Sequence, residues 1–78
     1  MPDLITVSPV GDVWQVLPAS AEPSLFRSGG QAELCARRLA ESLARYGRVV
    51  EVEIFLRDGR LAARLHYEAD APSGSEPF

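Results

Sequence analysis

The segment Val49-Val50-Glu51-Val52-Glu53-Ile54-Phe55-Leu56-Arg57, then Asp58-Gly59, then Arg60-Leu61-Ala62-Ala63-Arg64-Leu65-His66-Tyr67 constrains the fold more than any other part of the chain. Asp-Gly between two alternating runs is a strong hairpin signal, because a two-residue type I′ turn needs positive φ at both central positions. Pairing outward from that turn sets Leu56 against Leu61, Ile54 against Ala63, Val52 against Leu65 and Val50 against Tyr67 on one face. The other face receives Phe55 with Ala62, Glu53 with Arg64 and Glu51 with His66. Apolar meets apolar and acid meets base in one register, so two independent patterns agree on it.

A second hairpin is expected at the start of the chain, where Leu4 to Pro9 and Val13 to Leu17 flank Val10-Gly11-Asp12. With Gly11-Asp12 as the turn, Val10 faces Val13, Pro9 faces Trp14 and Val7 faces Val16, which puts Ile5, Val7, Pro9, Trp14 and Val16 on one side. Residues 18 to 27 hold two prolines and no sustained period and read as a loop. Ser28 then opens a Ser-x-x-Gln capping box with Gln31, and a helix follows as far as Gly47. Around Leu39, the residues Ala32, Cys35, Ala36, Leu43 and Tyr46 fall on one helical face and are expected to meet the sheet. The order predicts an α+β domain over residues 1–70. Its sheet has four strands in a mainly antiparallel arrangement (ββαββ), the second hairpin partly central, with one helix on one face. Residues 71–78 are expected to be a disordered tail.

Composition then narrows the function. The 78 residues are 46% hydrophobic and 24% charged, near the globular average, with a formal net charge of −3. One Cys and one His exclude an internal disulfide and a four-ligand Cys/His zinc site, so a metal centre and a cofactor are not expected. A domain this short has a small core, and self-association would relieve that shortage. The start Met1-Pro2-Asp3-Leu4 lacks the basic and apolar stretches of a secretory signal, which makes the cytoplasm the expected compartment and a membrane span unexpected.

Several short motifs resemble those of a known family. Val7-Ser8-Pro9 followed by Trp14-Gln15-Val16, the capped Ala-rich helix beginning Gln31-Ala32-Glu33, the turn Arg57-Asp58-Gly59-Arg60 and then Tyr67 resemble small bacterial proteins grouped as domain of unknown function number 2188. The likeness covers about residues 5 to 68 and implies a ββαββ order, with no activity, cofactor or substrate attached. The chain departs from the pattern in carrying Phe55 where relatives often have His, and in having eight arginines and no lysine.

The chemistry-bearing residues are few. Cys35 and His66 are the candidates for a thiol and its base, but the register sends them to opposite sides of the sheet, so an enzyme is not expected. Arg27, Ser28, Gly29 and Gly30 at the helix start have the ingredients of an anion site. All eight arginines fall within residues 27–64 against five acids there, which raises a weak nucleic-acid-binding role through Arg37, Arg38, Arg45 and the hairpin arginines as the alternative function. The leading expectation is a non-enzymatic protein-interaction or homodimeric module. Its surface would be the open sheet face, where Leu17, Val49 and Phe55 form an apolar island beside Arg64 and His66. The end, Pro77-Phe78 after an acidic stretch, is similar to the tails of bacterial single-stranded DNA-binding proteins and would be a docking signal of its own.

Overall fold

The computed structural model describes residues 2–18 and 21–68. The expected tail over 71–78, with Pro77 and Phe78, lies outside the described residues. Five strands and one helix follow one another as β1 (Asp3–Val10), β2 (Val13–Leu17), β3 (Ser24–Phe26), α1 (Gly29–Arg45), β4 (Val50–Phe55) and β5 (Leu61–Tyr67). They form an α+β domain with a single sheet in the order β3-β2-β1-β4-β5.

The first hairpin has the expected register, with Val10 opposite Val13, Pro9 opposite Trp14 and Val7 opposite Val16. Gly11 takes a φ of 60° while Asp12 stays negative, the pattern of a type II′ turn. The second hairpin corrects the expected turn. Among its turn residues only Gly59 has positive φ, at 89°, so Asp58-Gly59 is not a type I′ pair. The Gly59 N–H donates to the Leu56 carbonyl and the Leu56 N–H to the Arg60 carbonyl, which makes a three-residue loop closed by a left-handed glycine. Phe55 therefore faces Leu61, Ala62 bulges out, and Ile54 regains Ala63. From there the expected pairs hold, Glu53 with Arg64, Val52 with Leu65, Glu51 with His66 and Val50 with Tyr67.

Three further expectations are corrected. The stretch read wholly as a loop contains β3, which pairs with β2 through Trp14–Phe26, Gln15–Leu25 and Val16–Ser24. The sheet has five strands and is mixed, because β1 runs parallel to β4 with Ile5 beside Val52 and Val7 beside Ile54. And β1, rather than the second hairpin, is the central strand. One cause underlies all three: β3 reverses the chain once more before the helix, so α1 carries it over the sheet and delivers β4 in the direction of β1. The parallel pair is closed at its start by Asp3, whose N–H donates to the Val49 carbonyl at 2.8 Å. Its carboxylate accepts a two-pronged bond from Arg48, with Nη2–Oδ1 at 2.8 Å. Those bonds hold the Asp3 carboxyl below its ordinary range.

The helix starts where the capping box places it, with the Ser28 hydroxyl accepting from the Gln31 N–H at 3.1 Å. Its phase is shifted from the expected one. The residues pressed on the sheet are Ala32, Ala36, Ala40 and Ala44, an i, i+4 stripe, over Ile5, Val7, Val16, Val50 and Val52. Leu39, Leu43 and Cys35 are half-buried on one flank, while Tyr46 is 82% exposed. Large side chains in the middle of the stripe would hold the helix away from the strands, so the alanines occupy the closest line and the leucines fill the gap beside it.

Two substitutions in the stripe and beside it test this packing. Ala36→Leu is expected to cost on the order of 1 to 3 kcal/mol by overpacking, whereas Leu34→Ala on the exposed outer surface should stay within about 0.5 kcal/mol. Denaturation midpoints in urea measure both, and equal losses would contradict the alanine contact.

Candidate interaction surface on the uncovered sheet face

Alternation along each strand sends one set of side chains to α1 and the other to a face that no element of the described chain covers. The strand pairings order that face into rows. Leu17 lies beside Thr6, Thr6 beside Glu53, and Glu53 beside Arg64; Leu4 lies beside Glu51, and Glu51 beside His66. Leu4 and Leu17 are diagonal neighbours on adjacent strands and each is 42% exposed. Leu25 adds exposed apolar surface on β3, and Val10 adds it beside the first hairpin turn.

The β4–β5 half of the face is charged and paired. Arg64 donates Nη2 to Glu53 Oε2 at 2.8 Å. His66 touches two carboxylates, Glu68 through Nε2 at 2.5 Å and Glu51 through Nδ1 at 3.3 Å. An ionised carboxylate only accepts, so both contacts are satisfied together only by the imidazolium, which donates from both nitrogens. Glu68 first and Glu51 second thus push the His66 pKa up.

The sequence-derived candidates are distributed over this geometry. Arg64 and His66 stand next to one another in the charged rows. Leu17, Val49 and Phe55 do not form one island: Leu17 is two strands from β4, and the rows of Glu51 and Glu53 separate Val49 from Phe55. On the face Leu4 instead lies diagonally between Leu17 of β2 and Val49 just before β4. Leu4 was legible from the alternation that points Ile5 inward, and Glu68 from the period-two spacing that puts it beside His66. Cys35 packs with the core on the helix side, opposite the face that carries His66.

At the helix start, Arg27, Ser28 and Gly30 are exposed and Gly29 is seated under the indole of Trp14. A Cβ on Gly29 would approach the Trp14 ring to 3.0 Å, whereas one on Gly30 meets nothing within 4 Å. Arg57 also lies over the indole, its guanidinium 5.9 Å from the ring centroid, and donates to the Gly11 carbonyl at 2.9 Å. Packing therefore accounts for Gly29 without an anion.

The arginines are dispersed. Arg37 pairs with Glu33 at 2.7 Å, Arg60 with Asp58 at 2.7 Å, Arg48 with Asp3 and Arg64 with Glu53. Arg38 and Arg45 lie exposed on the helix, in the layer opposite Arg64. Among the described residues there is no cluster of three or more His, Cys, Asp or Glu suited to a metal ion, and no helix is long and apolar enough to cross a membrane. No family model, curated protein or solved structure matches the chain.

Two outcomes follow from this geometry. Because the folded pKa of His66 is raised, its contribution to stability is complete below about 6.5, the unfolded value, and is lost as pH rises through the folded pKa. The His66 ring-proton shift followed by NMR should titrate above the ordinary range, and Glu68→Gln should lower that midpoint and flatten the fall in stability between weakly acid and weakly alkaline pH. At the helix start, Gly30→Ala is expected to stabilise the protein by about 0.4 to 1 kcal/mol, and Gly29→Ala to fall short of that because of the indole. Thermal melts compare the two.

Proposed function

We propose that the chain is a non-enzymatic interaction module that docks a protein partner on the uncovered face of its sheet. The observation that carries this reading is the diagonal placement of two exposed leucines, Leu4 and Leu17, beside an ordered row of ion pairs on a face that no element of the described residues covers. A small apolar centre bordered by fixed polar groups is the anatomy of a modest protein interface. The motif likeness to domain of unknown function number 2188 adds no chemistry to this, since Val7, Trp14 and Val16 serve the core and Gly59 the turn. A nucleic-acid ligand is the weaker alternative, because Arg37, Arg48, Arg60 and Arg64 are already neutralised by carboxylates and no stripe of phosphate-directed charge results.

The test is capture of partners from cell extract with the full chain, Leu17→Glu, and Leu34→Glu on the outer helix surface. A partner retained by the wild type and Leu34→Glu and lost by Leu17→Glu is the expected result. Retention by all three, or recovery of nucleic acid whose binding falls steeply with salt, would refute the face as the docking site.

A further inference from the structure

The two edges of the sheet are unlike. β3 is three residues long and follows Pro23, and so short an edge offers little to pair with. β5 is seven residues long and contains no proline, glycine or lysine. Its bulge at Ala62 leaves Ala63–Tyr67 as a regular stretch.

The direction of the peptide groups along that stretch follows from the central pairing. The Asp3 N–H bonds the Val49 carbonyl, so Val49, Glu51 and Glu53 turn their peptide groups toward β1, and Val50, Val52 and Ile54 turn theirs toward β5. Leu65 and Tyr67, opposite Val52 and Val50, are used by β4. Arg64 and His66 then present theirs outward from the edge.

The helix also leaves this side open. Its stripe lies over β2, β1 and β4, and the flank it turns to β5 carries Arg37, Glu41 and Ala44 with no large apolar side chain. Leu65 and Tyr67, which face the helix from β5, are only half-buried. A cleft of about 290 Å³ runs between Glu41, Ala44 and Arg45 and the end of β5 at Tyr67 and Glu68.

We propose that the β5 edge joins a second copy of this chain, antiparallel about a twofold axis, to make one continuous sheet with both helices on the same side. The occupant is identified by self-complementarity. The regular stretch is centred on Leu65, so a symmetric pairing sets Leu65 against itself and small Ala63 against large Tyr67 of the second copy. Arg64 meets the imidazolium of His66 of the second copy, whose single charge is outnumbered by the two carboxylates it holds, Glu51 and Glu68. The outward peptide groups of Arg64 and His66 fall opposite each other in that register and can exchange both bonds. This extends the reading of the chain as an interaction module by naming one partner, at a place distinct from the uncovered face.

Sedimentation of the full chain is expected to give a dimer, and Glu68→Arg, at an exposed position, to weaken it about tenfold with an unchanged circular dichroism spectrum. In a Cys35→Ala background, Leu65→Cys should form a disulfide-linked dimer under copper-phenanthroline oxidation while Leu34→Cys does not. A monomer at the highest soluble concentration overturns the proposal and leaves the face reading to its own capture experiment. A dimer indifferent to Glu68→Arg but dissociated by Leu17→Glu would overturn the edge contact and move the association to the face.

Discussion

The close approach of an alanine stripe to the centre of the sheet is the contact on which the rest of the structure depends. Ala32, Ala36, Ala40 and Ala44 bring the helix onto Ile5, Val7, Val50 and Val52, which are fully buried. These strand residues belong to β1 and β4, the two strands that meet in parallel. One helix therefore clamps the two hairpins at their seam. Without it the hairpins would share only a five-residue ladder, the Asp3–Arg48 bond and the reach of Arg57 to Gly11 and Trp14, and isolated hairpins are marginal in water.

What could be read in the sequence was what two neighbouring segments decide between themselves. Both hairpins and the helix start fall in this class, because alternation, turn residues and the Ser28 cap are local. The second hairpin is instructive, since its loop is one residue longer than the expected turn and Ala62 bulges to compensate, so the far pairs from Ile54–Ala63 onward keep their register. An error in the turn was absorbed before it reached the residues that matter. The error at Ser24–Phe26 was not absorbed. Three residues after Pro23 give no period to recognise, yet their strand reverses the chain, and the reversal changes β4 from antiparallel to parallel and moves β1 to the centre.

The helix phase failed for a different reason. Weighting by hydrophobic size centres the face on Leu39, but the sheet selects for closeness, and alanine wins wherever the helix axis must be nearest the strands. Tyr46, at the C-cap, then turns to solvent. The candidate surface inherits both kinds of result. Arg64, His66, Glu51 and Glu53 were placed correctly because their pairing lies inside one hairpin. Leu17 and Phe55 were joined incorrectly because their separation depends on which strand lies between the hairpins.

A single helix about 10 Å wide cannot cover five strands whose outer axes are about 19 Å apart. Centred on β1 and β4, it leaves a margin on each side. On the β2–β3 side the margin is filled by Leu39, Leu43 and Cys35 with Phe26 and Trp14, and the indole lies against Gly29 with Arg57 over its ring. On the β5 side the helix presents Ala44 and charged side chains, and Leu65 and Tyr67 remain partly in contact with water. The same sequence that closes one margin with leucines leaves the other open. That margin ends at the strand whose outward peptide groups have no partner within the described chain, so the uncovered apolar surface and the unpaired backbone coincide on one edge. Either feature alone is common on small domains; together they make β5 the place where added surface would complete both the core and the ladder.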